Sequence, residues 1–197
     1  MMYYGIVPTF VDSGSIWMDT DKKSVFVGNS GLNHALAGVV YTQTSTVNVS
    51  NTVDLISLTG SGVGQMSFPP NFLTVGKTVR FRVVGVHSST ASPTVFVNVK
   101  LNEATGSIVP TNSGNGSNDT FIIESDVTCI SVGSPGSVNM NGYYMELHNS
   151  GIRKGFCFSA VPIDTTVEIF PDIEFAWGVA DAGNTLETST FSIEILN

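Results

Sequence analysis

The sequence predicts an all-β protein, a jelly-roll sandwich of about eight strands in two antiparallel sheets, with a short N-terminal hairpin or arm. Three observations carry that expectation. Apolar and polar residues alternate with period two in one run after another, as in a sheet with one dry and one wet face. No window of helical length keeps a 3.6-residue apolar period with helix-forming residues. Clusters of Gly, Ser, Pro and Asn separate the runs at the spacing of turns between short strands.

The expected domains are an arm or docking segment over residues 1–50 and a jelly roll over 51–197. Within the arm, residues 15–18 and 24–27, separated by Asp19-Thr20-Asp21-Lys22-Lys23, read as a short hairpin with a charged tip. A lone hairpin is marginally stable in water. Trp17, Met18 and Phe26, with Met1, Tyr3, Tyr4 and Phe10 before them, therefore need a partner surface, in the same domain, a neighbouring subunit or another protein; an anchoring arm is the preferred reading.

In the second part, runs near 52–59, 119–132, 137–147 and 155–161 join four clear alternations. Val79, Phe81 and Val83 alternate with Thr78, Arg80 and Arg82; Val95, Val97, Val99 and Leu101 alternate with Thr94, Asn98 and Lys100. Val167, Ile169, Ile173, Phe175, Trp177 and Val179 share one parity and predict a long strand with a bulge or edge at Pro171, since proline cannot donate to a central ladder. Phe191, Ile193 and Ile195 close the chain. Pro69-Pro70-Asn71-Phe72-Leu73 fits a single turn ended by Gly76, residues 110–118 an exposed loop, and 60–62, 133–136 and 181–184 turns.

Only 12% of residues are charged against roughly 25% in ordinary soluble domains, so much of the surface is expected to touch protein. Sixteen acidic against 8 basic residues give a net charge of -8, which repels phosphate backbones. No nucleic-acid partner is expected, and with no basic amphipathic helix and no long apolar stretch, no membrane partner either. The N-terminus lacks the charged and apolar regions of a secretion signal.

Chemistry-bearing residues do not converge in the sequence. His34, His87 and His148 are far apart and in no HxH or HExxH arrangement. Cys129 and Cys157 are expected to be free; Cys129 shares the parity of Phe121, Ile123 and Val127, whereas Cys157 lies opposite Phe156 and Phe158. Ser30 and Ser61 lack the spacing of a nucleophile elbow, and Gly60, Gly62 and Gly64 lack the context of a phosphate loop. Asp19 and Asp21 precede two lysines, which argues against a hard cation. Asp172 and Glu174 share a face with Glu168 and Ala176, a pairing with acid/base potential that reads more simply as a solvated outer face. Of the adjacent pair Tyr143 and Tyr144, one ring must face the core. The glycosylation-type triplets at Asn48, Asn115 and Asn118 read as accidents of composition. No catalytic, metal or cofactor residues are assigned.

The segment Met66-Ser67-Phe68-Pro69-Pro70-Asn71-Phe72-Leu73-Thr74-Val75-Gly76-Lys77-Thr78-Val79-Arg80-Phe81-Arg82-Val83-Val84-Gly85 resembles one that recurs in jelly-roll structural proteins of tailed phages and large DNA viruses. Residues 92–101, 133–138 and 173–185 keep that family's order, and Gly14-Ser15-Ile16-Trp17-Met18-Asp19-Thr20 looks like a short element of phage fibre proteins. What the resemblance implies is a non-enzymatic virion component: a homo-oligomeric capsid protein of vertex, penton, spike or fibre type. Its expected partners are copies of itself, as a trimer or pentamer, and other capsid or virion proteins through the N-terminal segment. The alternative is a receptor- or carbohydrate-binding β-sandwich that meets a host surface glycan or receptor.

Overall fold

The computed structural model describes residues 2–5, 16–19, 24–29, 32–35, 38–90, 92–113, 115–147 and 153–197, the strands before residue 38 and residues 109–112 and 153 by their backbone alone. Among the described residues there is no helix.

Strands β1 (Met2–Gly5), β2 (Ile16–Asp19), β3 (Ser24–Asn29) and β4 (Leu32–Ala35) form a four-stranded sheet in that order, β1 parallel to β2 and the others antiparallel. The expected hairpin is β2–β3, registered Ile16↔Val27 through Asp19↔Ser24; its tip, 20–23, lies outside the described residues. Residues 38–50 depart from the expected arm. There β5 (Gly38–Gln43) and β6 (Val47–Ser50) pair with the C-terminal strand β16 (Thr185–Ile195), so they belong to the sandwich. Buried Val40, Tyr41 and Val49 are their contribution to the core, and burial decides the matter against a free arm.

The remaining strands are β7 (Ile56–Ser57), β8 (Gly62–Gly64), β9 (Thr78–Ser89), β10 (Thr94–Leu101), β11 (Ala104–Asn112), β12 (Gly116–Ser131), β13 (Gly136–Glu146), β14 (Arg153–Ile163) and β15 (Pro171–Trp177). An eight-stranded sheet runs β14-β13-β12-β9-β16-β5-β8, with β6 also on β16, and a four-stranded sheet runs β11-β10-β15-β7. Set aside β5, β8, β13 and β14, and eight strands remain. Numbered one to eight along the chain, they lie 1-8-3-6 in one sheet and 2-7-4-5 in the other. That interleaving of two Greek keys is the jelly roll, and it confirms the expected fold. The β13–β14 hairpin widens the large sheet, and β14 packs over β11. Gly106 of β11 makes the approach possible, because a Cβ there would stand 3.1 Å from Met140 Sδ and 3.3 Å from Phe158.

Inward parity fills the space between the sheets. Val79, Phe81 and Val83 of β9 meet Val95, Val97 and Val99 of β10, Ile173, Phe175 and Trp177 of β15, and Phe191 and Ile193 of β16 in one buried cluster. Each such side chain contributes about 1.5–3 kcal/mol by leaving water. The segment from Phe68 to Leu73 plugs one end. Phe68 exchanges backbone hydrogen bonds with Ile169 and stacks on Phe72 at 4.5 Å, while Lys77 Nζ sits 4.2 Å from the Phe72 ring. The predicted turn is present, with Phe72 N–H donating to Pro69 O.

Two local expectations fail. The long strand over 167–179 is shorter: Pro171 is its first residue, where no ladder donor is lost, and Val167 and Val179 lie exposed outside it. The loop expected over 110–118 is almost wholly strand, with Pro110–Asn112 ending β11 and Gly116–Asn118 opening β12. Ser113 is fully buried, its N–H donating to Pro93 O. Backbone pairing overrides composition there.

Candidate functional site

The outer face of the small sheet combines a polar row with an apolar wall. Parity turns Phe96, Asn98 and Lys100 of β10 outward, and the antiparallel register sets them opposite Ala176, Glu174 and Asp172 of β15. On the other side, Asn98 faces Ser107 of β11. These cross-strand neighbours bond in sequence. Ser107 Oγ donates to Asn98 Oδ1 at 2.7 Å, Asn98 Nδ2 to Glu174 Oε2 at 3.4 Å, and Lys100 Nζ to Glu174 Oε1 at 3.0 Å. The hydrogen bond that Lys100 donates to Glu174 holds its ammonium above its ordinary pKa. Asp172 Oδ1 accepts from Ser57 Oγ at 2.7 Å and Thr59 Oγ1 at 2.8 Å.

Beside this row, Val53 and Leu55 from the segment before β7 share a pocket of about 330 Å3 with Phe96, Asn98, Ser107, Ile108 and Ala176. Val53 is 55% exposed, Leu55 46% and Phe96 39%, a large apolar display for side chains with a core available to them. Ala176, outward by parity, is nonetheless buried. The pocket thus has an aromatic and aliphatic side and a polar side built from an amide and a hydroxyl, with an ion pair adjoining them.

The sequence-level candidates for chemistry are dispersed. Both outer-face carboxylates are engaged, Asp172 by two hydroxyls and Glu174 by Lys100 and Asn98. Glu168 stands apart, accepting from Ser67 Oγ. His34 is placed only by its backbone in β4, His148 lies outside the described residues, and His87 is buried. Asp21 and Ser30 also lie outside the described residues. Among the described residues no group of three or more His, Cys, Asp or Glu is placed to hold a metal. Cys129 is buried and Cys157 exposed, both as free thiols. Tyr144 is buried, whereas Tyr143 is partly exposed. Asn48 and Asn118 line a second pocket, of about 290 Å3, on the large sheet with Ser50, Ser88, Thr185 and Glu187. Asn115 Oδ1 accepts from Ser92 N–H.

One polar cluster escaped the sequence reading. Tyr144 donates to Glu146 Oε1 at 2.5 Å, and His87 Nε2 lies 3.7 Å from the same oxygen, all three side chains being closed to solvent. Burial, reinforced by the neighbouring Glu146 charge and its hydrogen bond, pushes the Tyr144 hydroxyl well above its ordinary pKa. The rings of Phe121 and Trp177 flank His87 at 6.4 Å and 6.3 Å. Parity was the missed signal: His87 continues the inward series Val79, Phe81, Val83, and Glu146 continues Val138, Met140, Tyr144.

No protein-family model matches the chain, and no curated protein matches it. Among solved structures it is similar to arcelin-5, a lectin-like defence protein from Phaseolus vulgaris, at 10% identity and a TM-score of 0.38 over 95% of this chain and 92% of that one. A likeness that loose carries no argument about function.

Proposed function

We propose that this jelly roll is a non-catalytic recognition module whose small-sheet outer face binds a saccharide. The observation that carries the reading is the pocket beneath Val53 and Leu55, where exposed Phe96 adjoins the Ser107–Asn98–Glu174–Lys100 row. A pyranose has an apolar C–H face and a rim of hydroxyls. Phe96 and the aliphatic side chains suit the first; the amide, hydroxyl and carboxylate suit the second, each having lone pairs or protons beyond those used internally. Catalysis fits the face less well, because its carboxylates are committed to neighbouring donors.

The test is a glycan array probed with the full chain, followed by calorimetric titration of the strongest hit. Phe96→Ala is expected to weaken that binding about tenfold, or about 1.4 kcal/mol. An empty array, or a hit indifferent to Phe96→Ala, would refute this reading. Turnover of a glycan that disappears in Glu174→Gln would make the protein an enzyme instead.

A second reading, a homo-oligomeric virion component of capsid, spike or fibre type, is favoured by a different observation. One end of the sandwich exposes large apolar side chains, among them Val75 and Phe170, 67% and 58% exposed. The resemblance of residues 66–85 to virion jelly rolls supports the same reading. The two readings coexist in a particle protein that assembles at one surface and recognises a host glycan at another.

A further inference from the structure

We infer that the end of the sandwich formed by Val75, Val132, Val167 and Phe170 is a docking surface for a second copy of this chain. The inference rests on the assembly reading and gives it a location.

These four side chains are 67%, 53%, 44% and 58% exposed, yet their loops are tied into one platform by backbone hydrogen bonds. Gly76 N–H donates to Cys129 O, joining the Val75 turn to the end of β12. Thr165 N–H donates to Gly133 O, joining the turn after Val132 to the loop that carries Val167. Asn71 N–H donates to Thr165 O, and Asn102 N–H to Phe170 O. The apolar groups are thus held in place before any partner arrives, which removes part of the ordering cost of association. At the opposite end the connections are dominated by hydrogen-bonded polar groups: Thr90 donates to Asp181 and to Asn184, and Ser92 to Asn115. Among the described residues the first end gathers these four exposed apolar side chains, while the second, which carries exposed Val179, is the more polar.

Two features point to another copy as the occupant. First, the chain joins the sandwich at the end that carries Val75: Gly38, the first residue of β5, pairs with Ile195, and Leu196 N–H donates to Thr78 O beside it. The segment carrying β1 to β4 therefore precedes β5 at this end of the sandwich. In that sheet β1 and β4 each pair on one side only among the described residues, an open edge that a strand of a sister chain can extend. Copies meeting at the Val75 end bring those segments together. Secondly, the rim carries both signs, Lys77 against Asp164 and Glu168, so like surfaces can rotate onto one another without pairing like charges.

Sedimentation and light scattering of the full chain at micromolar concentration test this. The wild type is expected as one defined oligomer, the double variant Val75→Asp/Phe170→Asp as a monomer with unchanged circular dichroism, and Val179→Asp, at the opposite end, as the wild-type oligomer. A wild type that is monomeric overturns the assembly reading itself. An oligomer that survives the double variant leaves assembly standing and overturns this surface. Should the double variant fail to fold, deuterium exchange of the wild type decides: concentration-dependent protection at 73–77, 131–136 and 164–170 is expected, and its absence from an oligomer overturns the surface.

Discussion

Tyr144→Phe tests whether the buried His87–Glu146–Tyr144 cluster is a stabilising network. The substitution keeps the ring among Phe121 and the β13 core and deletes one atom, the hydroxyl that donates to Glu146 at 2.5 Å. A hydrogen bond to a charged, buried acceptor contributes about 1.5–3 kcal/mol, and here the acceptor is only 1% exposed, so screening by water offers little discount. We expect a loss of about 2 kcal/mol at neutral pH, or about 4–8 °C in Tm for a chain of this length. Urea denaturation should show a lower midpoint with unchanged slope. The pH dependence supplies a second readout. The folded-state pKa of Tyr144 is raised above the ordinary 10.0, so folded protein holds the proton more tightly than unfolded chain. Stability from this group is complete below about pH 10 and is lost as pH climbs toward the folded value. The gap between wild type and Tyr144→Phe should therefore narrow above about pH 10. A loss under about 0.5 kcal/mol, or a gap constant into alkali, would refute the network.

Gly85→Ala should cost about 3 kcal/mol, near the upper end for overpacking, because its Cβ would fall 2.1 Å from the Glu187 carbonyl oxygen and 2.7 Å from the Phe121 ring; an unchanged urea midpoint would contradict the tight β9–β16 contact. Asp164 and Asp181 lie below the ordinary aspartate value of 3.8, the first chiefly through the Thr166 hydroxyl, the second chiefly through the Gly183 amide. Depressed folded values mean that their stabilisation is present above pH 3.8 and lost as pH falls through the folded pKa values. The acid decline should be shallower in Asp181→Asn when midpoints are followed by fluorescence, and an identical decline would count against the Asp181 turn.

The sandwich was legible because its strands obey a period of two with little interruption, as in β9, β10 and β16, where alternate residues are buried along the element. What composition misjudged were places where backbone pairing prevails over side-chain preference. Pro110, Thr111 and Asn112 read as loop, yet β11 has a ladder partner in β10 as far as Asn112, and the unpaired backbone groups of a loop would otherwise need water. Val47 and Val49 fall in the span read as arm, although β16 supplies their partners, Thr188 for Val47 from 141 residues away and Leu186 for Val49. The outer-face site was half visible. Asp172, Glu174 and Ala176 were placed on one face by parity, but Asn98, Lys100 and Ser107 join them only through pairing between strands, and no local pattern encodes which strands pair.

The sparse charges bear on which ligand the proposed small-sheet site would take. Arg80 on the large sheet is held by a two-pronged contact with Asp126 at 2.7 and 2.9 Å, and Arg82 lies 3.7 Å from Glu124. Lys100 is matched by Glu174 at 3.0 Å, and Lys77 rests over the Phe72 ring. These four cations are thus each engaged by a partner within the chain. An anionic ligand, a sulfated sugar or a phosphate, would have to draw Lys100 away from Glu174 while that carboxylate stayed beside it, against a net charge of -8. A neutral saccharide meets no such cost. It can donate hydroxyls to Glu174 and accept from Asn98 while Lys100 remains in place, and it can rest its C–H face on Phe96. On the proposed saccharide reading the Lys100–Glu174 pair would serve as a pre-set, electrically balanced hydrogen-bonding edge, and its scant charge would let the apolar wall beside it contribute to affinity.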